Sequence, residues 1–156
     1  MAANLEEDRP ALRRVGVLAG HAHFRLATGE QLLAWAPRDA GAAPLPLMIY
    51  LHGASSRGDD VGTILTRGPD CVPQHIRDGA IAPDCSVVAP LLVAKSEWCR
   101  SSAEATRLLR ILDAYVAAAG ADGLPSVDRS RVYCARAASQ STRRSFAARR
   151  RRDLPV

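Results

Sequence analysis

Aromatic side chains are scarce in this chain: Phe24, Trp35, Tyr50, Trp98, Tyr115, Tyr133 and Phe146 are the only seven among 156 residues. Any core must therefore be built of Leu, Val, Ile and Ala, and no stacking platform accompanies the basic residues. Lysine is rarer, with Lys95 alone among 21 basic side chains. Long apolar runs are missing too. The longest, around Leu47–Leu51 and Val87–Ala94, fall well short of the roughly 18–20 residues of a membrane-spanning helix, so no membrane span is expected. The start, from Met1 to Pro10, is polar and acidic where a secretory signal is basic and then apolar, which makes the cytoplasm the expected location. Cys71, Cys85, Cys99 and Cys134 are widely spaced, with no C-x-x-C pair and no His pair nearby. That spacing predicts buried free thiols and no metal site, and nothing in the sequence calls for a cofactor.

What is present suits one globular domain. Apolar residues make up 47% of the chain, which excludes disorder throughout, collagen and a disulfide-dense miniprotein. The net charge of +5 is unevenly placed: residues 1–128 hold 12 basic and 15 acidic side chains, a balance of −3, whereas residues 129–156 hold nine arginines against Asp153, a balance of +8. The basicity belongs to the tail. A run such as Arg149–Arg152 is usually a solvated charge block, so a nucleic-acid partner is not expected. No internal repeat is evident, and the sequence leaves the oligomeric state open.

Along the chain, a polar leader of about 14 residues precedes two extended segments, His21–Leu26 and Gln31–Ala36, joined by a tight turn at Ala27-Thr28-Gly29-Glu30. The run Leu47–Leu51 is apolar on both alternating faces, as in a strand buried between layers. Gly68, Pro69 and Pro73 predict a broken helix over 60–78, and Cys85–Ala89 predicts a second buried strand stopped by Pro90. The spacing predicts a helix from Ser102 to Ala119, with Ser101 and Glu104 as a capping box and Gly120 as its left-handed end. Its apolar stripe is Ala105, Leu108, Leu109, Leu112 and Val116. Arg131–Cys134 then supplies a third strand, and the strand-helix-strand spacing points to an α/β sheet with right-handed crossovers.

The most informative string is Leu51-His52-Gly53-Ala54-Ser55-Ser56-Arg57-Gly58-Asp59-Asp60, directly after a buried strand. Further on come Leu65-Thr66-Arg67-Gly68-Pro69, Val87-Val88-Ala89-Pro90 with Trp98, and Val127-Asp128-Arg129-Ser130-Arg131-Val132-Tyr133. In this order and spacing, from Pro46 to Tyr133, the chain resembles the phospholipase/carboxylesterase-like and predicted-peptidase group of α/β-hydrolases, related to polyhydroxybutyrate depolymerases. The resemblance implies an incomplete α/β-hydrolase fold: a mostly parallel sheet with an N-terminal hairpin and helices packed on it. It implies a partial domain over 15–134, between the leader 1–14 and an Arg-rich degenerate or disordered tail at 135–156. It also implies an oxyanion loop at His52, Gly53 and Ala54, whose backbone N–H groups face an ester carbonyl as charge develops on oxygen. Glycine there keeps side chains out of that approach. His52 itself reads as structural, and His21 and His23 as surface or packing residues.

The departure from that family is equally specific. Where it carries G-x-S-x-G, the sharp turn holding a nucleophilic serine, this chain has Arg136-Ala137-Ala138-Ser139-Gln140-Ser141. Strict register puts Ala138 at the nucleophile position. A one-residue slip puts Ser139 there, with Ala137 and Ser141 in place of the glycines. Only 17 residues follow Ser139, with Asp153 the sole acid and no histidine, and His21, His23, His52 and His75 all precede it. A Ser, Asp, His triad in the fold's usual order is therefore incomplete in this chain. Ser139 is a degenerate nucleophile candidate, and without a base it reads as an ordinary exposed serine. Apolar pattern and motif end together near residue 135, as a frameshift, an alternative transcript or a gene-model error there would produce. The expected function is that of a carboxylic-ester hydrolase-like protein of the serine esterase, phospholipase or thioesterase type, inactive as written, whose intact relatives act on a small ester or thioester. The alternative is a non-catalytic product that binds a partner through an exposed sheet edge or the basic tail.

Overall fold

A computed structural model describes residues 11–67, 71–121 and 123–137. Six strands run in the order β1 (Leu12–Leu18), β2 (His21–Leu26), β3 (Gln31–Trp35), β4 (Leu45–Leu51), β5 (Ser86–Pro90) and β6 (Val127–Arg136). Two helices, α1 (Val72–Arg77) and α2 (Ser102–Ala118), and two 3₁₀ turns, Ala54–Ser56 and Val61–Leu65, complete the described elements. All six strands form one sheet in the spatial order β1-β2-β3-β5-β4-β6.

The sheet is mixed, with α/β character. Strands β1, β2 and β3 form an antiparallel meander, and β3 continues antiparallel onto β5. Strands β5 and β6 both lie parallel to β4. The turn at Ala27–Glu30 closes as expected: Gly29 takes φ +95, and its N–H and that of Leu26 bond across the turn. Strand β1 was not anticipated. It begins at Leu12, inside the segment read as leader, and meets β2 through Ala19 and Gly20, both at positive φ, as in a two-residue hairpin turn. Its residues are mostly exposed, so β1 lacks the apolar alternation by which a strand is recognised.

Topology explains the layers. From β4 the chain crosses to β5 on one side, then from β5 it returns past β4 to β6 on the other. Crossovers of one hand in opposite directions must use opposite faces of the sheet. Accordingly, the 3₁₀ turns and α1 pack Val61, Ile64, Leu65 and Ile76 against Leu33, Tyr50, Val87 and Ala89. Helix α2 packs Leu108, Ile111, Ala114 and Tyr115 against Leu32, Ala34, Leu47, Ile49, Leu51 and Val88. With helices on both faces, β4 and β5 carry apolar residues at both parities, the signature of a strand buried between layers.

Helix α2 starts where the capping box places it: Ser101 Oγ accepts the Glu104 N–H at 3.3 Å and the Glu104 carboxylate accepts the Ser101 N–H at 3.1 Å. Gly120 follows at φ +88. The buried stripe, however, is turned from the expected one: Leu108, Ile111, Ala114 and Tyr115 are buried, while Leu109 is 59% exposed. Positions 108, 111 and 115 are i, i+3 and i+7, and Leu109 lies about 100° round from Leu108. The helix in 60–78 is broken as expected, but Pro73 starts α1 in its first turn instead of interrupting it, a position where the missing N–H costs nothing. Gly68 and Pro69 lie outside the described residues. The cysteines also differ from expectation, since only Cys71 is buried, Cys85 is intermediate, and Cys99 and Cys134 are exposed.

Candidate functional site

Open α/β sheets bind ligands outside the carboxyl ends of their parallel strands, where the direction of strand connection reverses. Here that reversal is at β4. The loop His52–Gly58 leaves its carboxyl end beside two neighbours: the segment after β5 and the segment after β6. Ala137, the residue after β6, donates its N–H to the Leu51 carbonyl at 3.0 Å. A Cβ placed on Gly53 would sit 3.7 Å from the Ala137 Cβ. The fold thus brings Gly53 next to the residues from which the chain runs to Ser139, which lies outside the described residues together with the tail from 138 onward.

Gly53 has φ −76 and ψ 176, extended backbone that any residue adopts, so conformation does not demand glycine here. A side chain would instead fill the space towards Ala137. The first internal bond of the 3₁₀ turn runs from the Ser56 N–H to the Gly53 carbonyl at 3.2 Å. The N–H groups of Gly53, Ala54 and Ser55 therefore have no acceptor within the turn, as at the start of any helical segment. Backbone N–H groups left open in this way are able to donate to an anionic oxygen.

His52 fixes the loop. It is 2% exposed, and the Leu92 N–H donates to its Nε2 at 2.9 Å. A backbone N–H can only donate, so Nε2 carries the lone pair, and Nδ1 holds the proton that it donates to the Gly53 carbonyl at 2.8 Å. Burial is the larger cause that holds the imidazole below its ordinary pKa, and the nearby Arg57 charge adds to it. A neutral ring with both nitrogens engaged is a strap. The indole of Trp98 completes it, donating Nε1–H to the His52 carbonyl at 2.9 Å with the rings edge to face at 5.3 Å. The Gly58 N–H donates to the Leu92 carbonyl at 3.0 Å, Ser56 Oγ donates to the Arg67 carbonyl, and Thr63 Oγ1 donates to the Ser56 carbonyl.

The other histidines stay apart from this crevice. His21 and His23 lie on β2, with β3 and β5 between them and β4. His21 is 1% exposed and donates Nδ1–H to the Ala19 carbonyl, while His23 donates Nε2–H to Gln31 Oε1 at 3.0 Å. His75 sits on α1. None of them is hydrogen-bonded to His52, Gly53 or Ala54. Sequence reasoning missed the parts played by Leu92 and Arg57. The signal for Trp98 was present in its spacing from Pro90, although its purpose was not. Among the described residues no three of His, Cys, Asp or Glu gather as a metal site would require, and no helix is long and apolar enough to cross a membrane.

No protein-family model and no curated protein matches the chain. A solved structure does: a thermostable esterase superimposes with a TM-score of 0.53 at 22% sequence identity, over 74% of this chain and 33% of that one. The fold is α/β-hydrolase-like. The chain spans about a third of the length of the esterase it matches.

Proposed function

We propose that this chain carries the oxyanion-loop half of a serine carboxylic-ester hydrolase of the esterase, phospholipase or thioesterase type, and that its 156 residues alone do not turn over an ester. The observation that carries this reading is the placement of Gly53 against Ala137, which sets backbone N–H groups with no acceptor among the described residues beside the point from which the chain runs on to Ser139. In an intact site of this kind a serine Oγ attacks the carbonyl carbon of an ester or thioester. The carbonyl oxygen gains charge, and the N–H groups of Gly53 and Ala54 hold it. Ser139 lacks the base of a Ser, Asp, His order, because no histidine follows it in the sequence, and His52 uses both ring nitrogens elsewhere. No metal or cofactor enters this chemistry. The substrate is a small ester or thioester, and a cytoplasmic setting is part of the reading, supported by free exposed thiols at Cys99 and Cys134.

The test has two arms. Pure protein incubated with p-nitrophenyl acetate and with a fluorophosphonate label gives no turnover above a heat-killed control and no labelled band; robust turnover that Ser139→Ala removes overturns the inactive reading. Sequencing messenger and genomic DNA across codons 125–160 and reading all three frames tests the enzymatic one. A frame that restores G-x-S-x-G followed by Asp and His supports it. The exposed length of β6, with Val132 45% and Tyr133 57% exposed, favours a second reading if no frame does: a non-catalytic protein that pairs a partner strand along that edge.

A further inference from the structure

One cavity of the described residues lies away from the candidate site. It lies at the opposite, amino end of the parallel strands, where β3 runs out through Trp35, Ala36 and Pro37 and where Leu124 and Pro125 lead into β6. Its volume is about 510 Å³, within the range of small-molecule sites. We propose that this cavity binds a small planar organic carboxylate, independently of any esterase chemistry.

Small residues make the space. Gly20, Ala22, Ala34, Ala36, Ala40 and Gly123 line it where larger side chains would close it. Among the described residues the charged lining is of one sign, since Arg14 and Arg38 line the cavity and no described Asp or Glu does. Neither guanidinium forms an ion pair among the described residues. Arg14 reaches across from β1 towards the turn after α2, with its Nη1 3.5 Å from where a Cβ on Gly123 would lie. A guanidinium is a planar fork of donors matched to a carboxylate. Deeper in, Tyr115, 1% exposed, closes the wall with its hydroxyl beside that of Ser86. The carboxylate of such a ligand meets the arginines at the mouth, and its ring lies along Trp35, Val17 and Leu124.

Naphthalene-2-carboxylate is a suitable probe, titrated into the full chain by calorimetry and by quenching of Trp35 fluorescence. The expected result is saturable one-to-one binding that weakens at least about tenfold in R14Q/R38Q, as loss of charge-assisted bonds requires, and that is absent for the neutral naphthalene-2-carboxamide. Both arginines are exposed, so that variant keeps the fold, which far-UV circular dichroism checks. Ala36→Leu, which narrows the cavity without touching charge, also weakens binding. No saturation up to about 5 mM, close to the weak limit of specific binding, overturns the proposal. Equal affinity of the double variant, or of the amide, does so as well.

Discussion

Strands β5 and β6 flank the same neighbour, β4, and both run parallel to it, yet they have opposite fates. Every residue of Ser86–Pro90 is buried, whereas Arg129–Cys134 are all exposed. Val88 is 0% exposed and Val132 is 45% exposed, although a valine is equally apolar in either place. The difference lies in what stands around each strand. Strand β5 has β3 on its other side and helical segments over both faces, while β6 has β4 on one side only among the described strands. Burial is a property of position in the layered sheet, and composition supplies only the permission.

The contrast extends to the loops, and it can be tested there with the largest effect. Beyond the strand ladders, the carboxyl ends of β4 and β5 are joined through the His52 side chain, and those of β4 and β6, among the described residues, through the Ala137 N–H. His52→Ala leaves the buried Leu92 N–H without an acceptor and empties the space of the ring. Urea unfolding should show a loss of about 3 kcal/mol, an orphaned donor adding to lost packing. Val88→Ala comes next, at about 2 kcal/mol by the same measurement, against less than about 0.5 kcal/mol for Val132→Ala. Equal costs for the two valines would show that β6 is as well covered as β5 and would erase the comparison.

Acid should act on the buried half first. His21 and His52 are held below the ordinary histidine pKa mainly by burial, with the charges of Arg77 and Arg57 respectively adding to it. The unfolded chain therefore takes up protons that the folded chain refuses as pH falls through about 6.5. The melting temperature is expected to be level between pH 8 and pH 7 and to fall between pH 6.5 and pH 5. A further loss follows below the usual carboxylate range. Burial alone would raise the Glu30 carboxyl, but the Thr28 hydroxyl, a backbone N–H and the Arg110 and Arg107 guanidinia outweigh it and leave it lowered. A depressed carboxylate stabilises above its unfolded pKa and ceases to do so as pH drops through the folded one.

The smallest effect is kinetic and leaves the fold alone. Cys134 on β6 and Cys99 should react quickly with a chromogenic disulfide, Cys85 more slowly, and Cys71 last. The Cys71 thiol donates to the Ile64 carbonyl at 2.6 Å, and burial pushes its pKa up. A Cys134 as slow as Cys71 would mean that the β6 edge is occupied in solution.

Much of this fold was legible because its signals are local. The capping box at Ser101 and Glu104, the positive φ at Gly29 and Gly120, and the apolar runs of β4 and β5 each depend on a few neighbouring residues. What stayed hidden depends on distant ones. Strand β1 is defined by pairing with β2, and the rotation of α2 that exposes Leu109 is set by the strands beneath it. The His52–Ala54 loop could be picked out from its own residues, but its shape comes from Leu92 and Trp98, 40 and 46 residues away. No periodicity in the chain encodes such a bond.

That same bond makes one amide proton a clock. The Leu92 N–H can exchange with solvent only when the imidazole has moved off it, so its exchange rate counts the openings of the loop at the head of β4. If it exchanges no faster than the amides of β5, the loop and the two strands open as one unit, and anything bound between Gly53 and Ala137 would leave only when all three part.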